Sequence, residues 1–446
     1  MSMPPSLSLP AREQTLDWMT RPYELLARCQ EELGDVFTID FREHGRYVLF
    51  SHPEAIHTIL AGDPAVFHAD NSLLEPFVGP RSLLLLEGQR HKQERRLLMP
   101  HFSRRQIHAW GDQIVEAADQ MIDGWKDDEP FSMRDSAEAI ALNLIDRLVF
   151  GLEVDQKRHG ELHECFAEIL GHPYFNIALI GEFGERLAGS AGWQRLQELL
   201  ERMDTLIRAE IAQRRASGRR GADIMSLLMD AEREDGRPVS DDELRDELVT
   251  LLATGHETTA TTLAWVIYWV FTHPPVQQRL DEELAGLPAN APPRQIAGLE
   301  YLEAVVLEAL RINPVVPIIA RKLTGPTTIA GYELDAGVTV APVIYLLHRR
   351  PELFAQPDRF RPERFLERDY KHNEFMPFGG GVRRCLGMHL ALYEIELLLA
   401  RIIERVDLQL LEPDTVRPRR RMVTIAPSSG VRCRVAHRHT AVHSAG

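Results

Sequence analysis

The chain has 446 residues, of which 44% are hydrophobic and 26% are charged, and its formal net charge is −15. This composition is typical of globular proteins and excludes a fibrous or extensively disordered chain. The acidic balance argues against general nucleic-acid binding, because such binding depends on basic surface patches.

The four cysteines, Cys29, Cys165, Cys385 and Cys433, are scattered and form no CxxC pair. Neither a structural zinc site nor a disulfide framework is therefore expected, and a reducing, cytoplasmic compartment is predicted. The first residues lack the basic and apolar regions of a secretory signal, and no apolar run reaches the ~18 residues of a spanning helix. The sequence thus predicts a cytoplasmic protein without a membrane span.

Local patterns predict elements in chain order. Alternating residues indicate strands at 36–40 and 47–50, joined as a hairpin. A capping box at 240–243 begins a helix that, if unbroken, continues for about 32 residues to Pro274. Further expectations are helices within 150–200, a solvated basic loop at 214–220, a helix at 299–312, a turn between short strands at 331–337, a helix from near Cys385, and a β-hairpin within 413–437.

The glycine-rich segment from Phe378 to Gly387 contains Cys385 beside Arg383 and Arg384. It lacks the lysine of a phosphate-binding loop and the preceding strand and spacing of a dinucleotide fingerprint. A cysteine at a helix start beside two arginines favours the thiolate, which is the form that binds metals. A buried, unreactive cysteine is the alternative.

Two further patterns are weaker. Glu308 and Arg311 lie on one helix face at i and i+3, and by themselves they indicate a surface ion pair. The segment 254–259, with sequence TGHETT, places a glycine, a carboxylate and hydroxyl groups in an apolar helix. Such a segment could relay protons, or it could be a locally kinked core helix.

Taken together, these segments resemble the cytochrome P450 haem-thiolate monooxygenases. FGGGVRRCLG matches the family's FxxGxRxCxG at every fixed position, Glu308 and Arg311 match its ExxR, and FRPERF at 360–365 matches its FxPERF. TGHETT matches the oxygen-activation segment, although Thr254 stands where alanine or glycine is usual, and 88–96 matches an HxxxR helix start. The resemblance covers about residues 15 to 437.

The resemblance implies a mainly α fold with a small β region, the triangular, helix-rich P450 fold around haem. It implies a single domain, 1–446, with a β-rich lobe mainly from 30–65 and 315–345 and a helical lobe from the rest. The implied cofactor is haem b, iron protoporphyrin IX, with Cys385 as its axial metal ligand. The cofactor-binding residues would be His91, Arg95, Arg321 and Arg383 at the two propionates, Phe378 near the sulfur, and Gly387. The catalytic residues, which deliver protons, would be Glu257 and Thr258. The structural residues would be Glu308, Arg311 and Arg364.

The implied activity is insertion of one oxygen atom of O2 into a lipophilic small molecule such as a fatty acid, an alkane or a terpenoid. The chain has no flavin or nicotinamide motif, so a ferredoxin or flavodoxin with its NAD(P)H reductase is the expected electron source. Arg384, Lys92, Arg96 and Arg105 could attract that acidic carrier, or they could be ordinary solvated residues. Alternatives are a peroxygenase or isomerase of the same fold and a haem-binding sensor without turnover; the presence of Glu257 and Thr258 favours the monooxygenase.

By resemblance, an apolar substrate pocket is expected, and core packing is the alternative for each of its residues. Part of its wall is expected from residues 165–200. The specific candidates are Leu83, Leu85, Ala253, Val315, Val316, Ile318, Ile319 and Pro427.

Overall fold

The structure is a computed structural model that describes residues 3–42, 45–151, 156–172, 189–288, 290–421 and 423–439, with backbone only at 156–159. Helices form most of it. In chain order they are α1 Ala11–Thr20, α2 Pro22–Leu33, α3 Pro53–Ala61, α4 Glu75–Val78, α5 Gly88–Leu98, α6 Arg104–Ala109, α7 Gly111–Gly124, α8 Met133–Phe150, α9 Gln156–Gly171, α10 Ala191–Ser217, α11 Ile224–Met229, α12 Asp241–Gly255, α13 Glu257–Phe271, α14 Pro274–Ala285, α15 Pro293–Ile296, α16 Glu300–Ile312, α17 Ile344–Leu347, α18 Arg364–Glu367 and α19 Met388–Arg405.

The strands form small sheets. They are β1 Val36–Phe41, β2 Gly45–Phe50, β3 Phe67–Ala69, β4 Phe131–Ser132, β5 Arg321–Leu323, β6 Thr327–Ile329, β7 Tyr332–Leu334, β8 Thr339–Pro342, β9 Val406–Leu410, β10 Pro418–Arg421, β11 Thr424–Pro427 and β12 Arg432–Arg438. The largest sheet has the order β1-β2-β8-β5-β3, so strands from the start of the chain pair with strands from its last third. The predicted hairpin at 36–50 and the late hairpin, β10 with β11, are confirmed.

The predicted helix from residue 241 to Pro274 is two helices, α12 and α13, which meet at His256. Its capping box is confirmed, since the Ser240 hydroxyl accepts from the Glu243 N–H while the Glu243 carboxylate accepts from the Ser240 N–H. At the break, a Cβ on Gly255 would lie only 2.8 Å from Cγ1 of Ile145, on α8. The glycine therefore allows α8 to approach closely, which explains why it stands within a helical segment.

Two other boundaries and one loop differ from expectation. Helix α16 begins one residue later than predicted, and α19 begins at Met388, so Cys385 precedes the helix. The basic segment 214–220 is only partly a solvated loop, because Arg214 is a buried residue of α10. Its guanidinium donates to Asp223 at 2.7 Å and to the carbonyl of Phe150, which ties the end of α10 to α8.

The main hydrophobic core lies among the helices. Helix α8 packs against α13 and α12, and α19 packs against α7, α13 and α16. Among the described residues, no helix combines the length and the apolar character that crossing a membrane requires.

Candidate haem-thiolate site

The loop that carries Cys385, residues 378–387 (the cysteine loop), is held in place by backbone contacts. The Cys385 N–H donates to the carbonyl of Phe378 at 2.9 Å, which closes the loop on itself. Gly381 has a φ of +65°, and a Cβ there would overlap the carbonyl oxygen of Leu60, the penultimate residue of α3. Only glycine satisfies both conditions, because it tolerates positive φ and has no side chain.

Cys385 is the exposed residue among the four cysteines, since the other three are buried. Protein atoms nevertheless surround its sulfur, and this burial raises the pKa of the thiol. The Gly387 N–H, which donates to the sulfur, and the charges of Arg95 and Arg384 act in the opposite direction and lower the pKa. The sulfur thus has a hydrogen-bond donor and two cations on the protein side, which suits a thiolate that binds a metal.

The four predicted propionate ligands, His91, Arg95, Arg321 and Arg383, lie close enough to repel one another. Burial, followed by the charges of the three arginines, lowers the pKa of His91 to about 4. Burial and the charge of Arg383 lower the pKa of Arg321 to about 10. Glu87 supplies one carboxylate, at 2.6 Å from Arg383. Three arginines, of which Arg321 is buried and the other two are half-buried, thus exceed the one carboxylate and favour a bound anion.

These residues fit haem b, whose iron takes a thiolate and whose two propionates take cations. The thiol of Cys385 would supply the iron ligand. The cations come from α5, from β5 and from the cysteine loop, so the arrangement places positive charge from three parts of the chain around one site. Arg383 also donates to the backbone carbonyls of Leu83 and Leu86, which fixes the segment carrying two predicted pocket residues to the cysteine loop.

Glu308 and Arg311 form a fully buried pair, and the surface alternative is therefore wrong. Arg311 donates to both carboxylate oxygens of Glu308, at 2.7 and 2.8 Å. Arg364 donates to the same carboxylate at 3.1 Å, and the backbone N–H of Arg361 donates at 2.8 Å. Arg311 also donates to the carbonyl of His348 at 2.9 Å. The pair joins α16 to the segment that leads into the cysteine loop.

The segment at the α12–α13 break presents two different faces. Residues 253–255 and Thr258 are at least partly exposed, whereas His256 and Glu257 are buried. The Thr258 hydroxyl donates to the carbonyl of Thr254 at 2.9 Å, and the Thr254 hydroxyl donates one turn further back. The hydroxyl of Thr254, a residue unusual at this position, therefore has its hydrogen-bond acceptor within the helix.

The Glu257 carboxylate is held by residues distant in sequence. Arg134 donates to one oxygen at 2.7 Å, the hydroxyl of Thr424 donates to the other at 3.1 Å, and Arg421 lies at 3.7 Å. Burial raises the pKa of Glu257, and the charges of Arg134 and Arg421 partly offset this.

The partners of Glu257 were not apparent from the sequence: they are Arg134, Arg421 and Thr424. They lie on α8, β10 and β11, and Arg134 precedes Glu257 by 123 residues. No local pattern marks such a pairing. His256 was within the TGHETT segment, so a search for titratable residues beside the predicted catalytic pair would have included it.

The predicted pocket residues differ in their surroundings. Ile318 packs with the cluster of the N-terminal helices and β1, and Ile319 lies beside Gly379 of the cysteine loop. Part of the wall expected from 165–200, residues 173–188, lies outside the described residues. Leu83, Val315 and Pro427 are buried, and the half-buried candidates are Leu85, Ala253, Val316, Ile318 and Ile319.

The fold is similar to that of the cyanobacterial protein CYP120A1, solved with bound retinoic acid. The TM-score is 0.87, with 21% sequence identity, over 98% of this chain and 100% of that chain. This likeness confirms the predicted fold class.

The sequence is similar to a protein family and to individual proteins of that family. The family model described as Cytochrome P450 matches residues 4–433. Cytochrome P450 135B1 of Mycobacterium tuberculosis is 37% identical over 444 residues, which cover 98% of this chain and 92% of that protein. Cytochrome P450 135A1 of the same organism is 32% identical over 440 residues, covering 97% and 95%. The chain therefore belongs to the cytochrome P450 family.

Proposed function

We propose that this protein is a monooxygenase that oxidises a fatty acid, an alkane or a terpenoid with electrons from NAD(P)H, delivered by a ferredoxin or flavodoxin and its reductase. The class follows from the family, whose members are monooxygenases that bind haem b and use redox partners. The observation that carries the proposal is the exposed residue Cys385 beside a group of three arginines, Arg95, Arg321 and Arg383. The free state of all four cysteines is consistent with a reducing compartment, and we propose the cytoplasm.

When bound, thiolate-ligated haem iron would supply the reductive cleavage of O2. The protein's own residues would hold that group and supply protons. His91, Arg95, Arg321 and Arg383 would bind the propionates, and the Gly387 N–H would stabilise the sulfur. Thr258 presents its hydroxyl on the partly exposed face of the helix. Because the Glu257 carboxylate points toward Arg134, transfer from it to Thr258 Oγ1 requires a side-chain rotation or a bridging water molecule.

A lipophilic substrate is supported by the apolar character of the predicted pocket residues. No cation stands among residues 315–319 to bind a substrate carboxylate. The retinoic acid in the structural neighbour is also lipophilic.

The substrate class is tested by adding fatty acids, alkanes and terpenes to the haem-loaded protein and recording the spin-state change of the haem spectrum. Compounds that shift the spectrum are then incubated with a ferredoxin, its reductase and NADPH, and products are identified by mass spectrometry. We expect one class to give both a spectral shift and an oxygenated product. Shifts without product, with an active electron supply, would contradict monooxygenation of that class.

The iron ligand is tested with Cys385→Ser. We expect the variant to fold but to lose the carbon-monoxide spectrum typical of thiolate-bound haem, since a serine hydroxyl is not a thiolate. Cys165→Ser is the matched control, because Cys165 is buried and donates to the carbonyl of Leu199, as a serine also can. A thiolate-type spectrum in folded Cys385→Ser would refute the assignment.

A further inference from the structure

A cluster of titratable groups lies behind the proposed catalytic pair. One side-chain atom each of Glu138, His256 and Glu257 lies within 4.8 Å of the other two. The side chain of Glu138 is 21% exposed, whereas that of Glu257 is only 4% exposed and His256 is fully buried. The cluster therefore leads from a solvent-accessible carboxylate to an enclosed one.

Two arginines balance the two carboxylates. Arg134 contacts Glu138 at 3.0 Å and Glu257 at 2.7 Å, and Arg421 lies at 3.5 and 3.7 Å from the same two groups. A metal ion would meet two positive charges here, so the geometry does not favour a metal site. A proton is small enough to move between these groups without displacing either arginine.

His256 provides an acceptor in the middle of the cluster. Its Nδ1 lies 2.8 Å from the carbonyl of Leu252, which can only accept, so Nδ1 carries the hydrogen. Nε2 is then an unprotonated acceptor. It is buried and has no hydrogen-bond partner among the described residues, although two carboxylates lie near the imidazole. Only a group that brings a hydrogen can satisfy both Nε2 and a carboxylate.

We propose that Glu138 and His256 are the outer steps of a proton path that ends at Glu257. A proton from solvent protonates the Glu138 carboxylate and passes to Nε2 of His256, which forms the imidazolium. It then passes from Nε2 to the Glu257 carboxylate, and His256 becomes neutral again; no electrons are transferred, and solvent replaces the proton at Glu138. A single water molecule can bridge separations of this size. The proposal rests on the proposed function, in which Glu257 is the internal acid.

The groups around His256 keep its imidazole mostly unprotonated, so that it passes a proton on and does not retain it. Burial and the charges of Arg134 on α8 and Arg421 on β10 lower its pKa, to about 4, while Glu138 on α8 acts against this. The aromatic ring of Phe166, on α9, packs edge-on against the imidazole and adds no charge. The imidazolium is therefore only a minor species at neutral pH, as a relay requires.

The first test uses Glu138→Gln in the haem-loaded protein with its electron partners and a substrate found as above. Glutamine keeps an acceptor for Arg134 but cannot carry the proton. We expect the yield of product per NADPH consumed to fall by about tenfold and the solvent deuterium isotope effect to rise. Asp135→Asn is the matched control, because Asp135 also contacts Arg134 but is exposed. Equal yields and isotope effects in the two variants would overturn the proposal.

The second test needs no turnover. Infrared spectra of substrate-free holoprotein are recorded against pH, and the Glu257 carboxyl band is assigned with Glu257→Gln. His256→Asn keeps a donor for the Leu252 carbonyl but has no atom at the Nε2 position, so we expect it to shift the midpoint of this band. An unchanged midpoint in folded protein would overturn the link between His256 and Glu257. A shifted midpoint in a protein that oxidises no tested substrate would leave the proton path standing and reject the proposed function.

Discussion

Glu308 shows how one carboxylate can join distant parts of this chain. It accepts from the side chains of Arg311 and Arg364 and from the backbone of Arg361, and both Glu308 and Arg311 are fully buried. A buried carboxylate with two guanidinium partners is stable only as a complete group, because removal of one member leaves charge without compensation.

We predict that Glu308→Gln lowers the free energy of unfolding by about 3–5 kcal/mol. The two arginines would stay buried beside a neutral amide. The contacts between α16 and the segment that leads into the cysteine loop would therefore weaken. Denaturant titration and the molar ratio of haem to protein measure the effect, and both values should fall. Glu32→Gln, which removes an exposed pair with Arg28, should leave both values unchanged. Normal stability and normal haem content in Glu308→Gln would contradict the structural role.

Helix α19, which follows the cysteine loop, contains two buried carboxyl groups. Burial raises the pKa of Glu394 to about 8 and that of Glu396 to about 9. Both side chains are therefore mostly neutral at pH 7 in the folded protein, while an unfolded chain would ionise them near pH 4.5. One oxygen of Glu394 has no hydrogen-bond partner among the described residues. The helix thus contains a polar group that opposes folding at neutral pH.

We predict that this arrangement makes the protein less stable as pH rises. Above pH 4.5 the unfolded state releases the Glu394 proton while the folded state keeps it until about pH 8, so unfolding becomes more favourable across that interval. Glu394→Gln should flatten this part of the curve of unfolding free energy against pH. Glu404→Gln, a change in the same helix at a residue paired with Arg401, should leave the slope as it is. Equal slopes for wild type and Glu394→Gln would refute the prediction.

Features of secondary structure that depend on neighbouring residues could be predicted from the sequence, whereas those beside contacts between distant residues could not. The capping box at Ser240 and the hairpin at 36–50 depend on neighbouring residues, and both were predictable. The break at His256 lies beside a contact between Gly255 and Ile145, which are more than a hundred residues apart. Periodicity alone continues through such a position, so it could not locate the break.

The same distinction applies to the site. A short motif identified Cys385 and its two neighbouring arginines, and the family resemblance supplied the roles of His91 and Arg321. The partners of Glu257 come from other elements and carry no motif, so they emerged only from the three-dimensional arrangement. The start of α19 at Met388 is a smaller difference, and it means that the Gly387 N–H, rather than the helix itself, is the group that donates to the sulfur.

The molecule as a whole is acidic, and the proposed electron carrier, a ferredoxin or flavodoxin, is expected to be acidic too. Lys92, Arg96 and Arg105 are exposed on or near α5, the helix that also carries Arg95. Arg96 pairs with Glu234, so part of its charge is already compensated. A local basic face on an acidic protein can orient a carrier that the net charge would repel.

We predict that Lys92→Gln combined with Arg96→Gln slows reduction by an acidic ferredoxin at low salt by about threefold to tenfold. The difference from wild type should shrink as salt rises, because exposed charges are screened. Stopped-flow measurement of haem reduction provides the rates. Lys126→Gln, at an exposed site after α7, is the control for a lost positive charge. Rates that match wild type at every salt concentration would reject this face as the docking surface.

The contact between Gly381 and Leu60 has a consequence for how the iron ligand is positioned. The backbone of the cysteine loop rests directly on the end of α3, with no side chain between them. Helix α3 also packs on the five-stranded sheet. The position of the Cys385 sulfur therefore depends on the first sixty residues as well as on the cysteine loop. We therefore expect a mutation that shifts the end of α3 to displace Cys385, the proposed iron ligand, although it alters no residue of the cysteine loop.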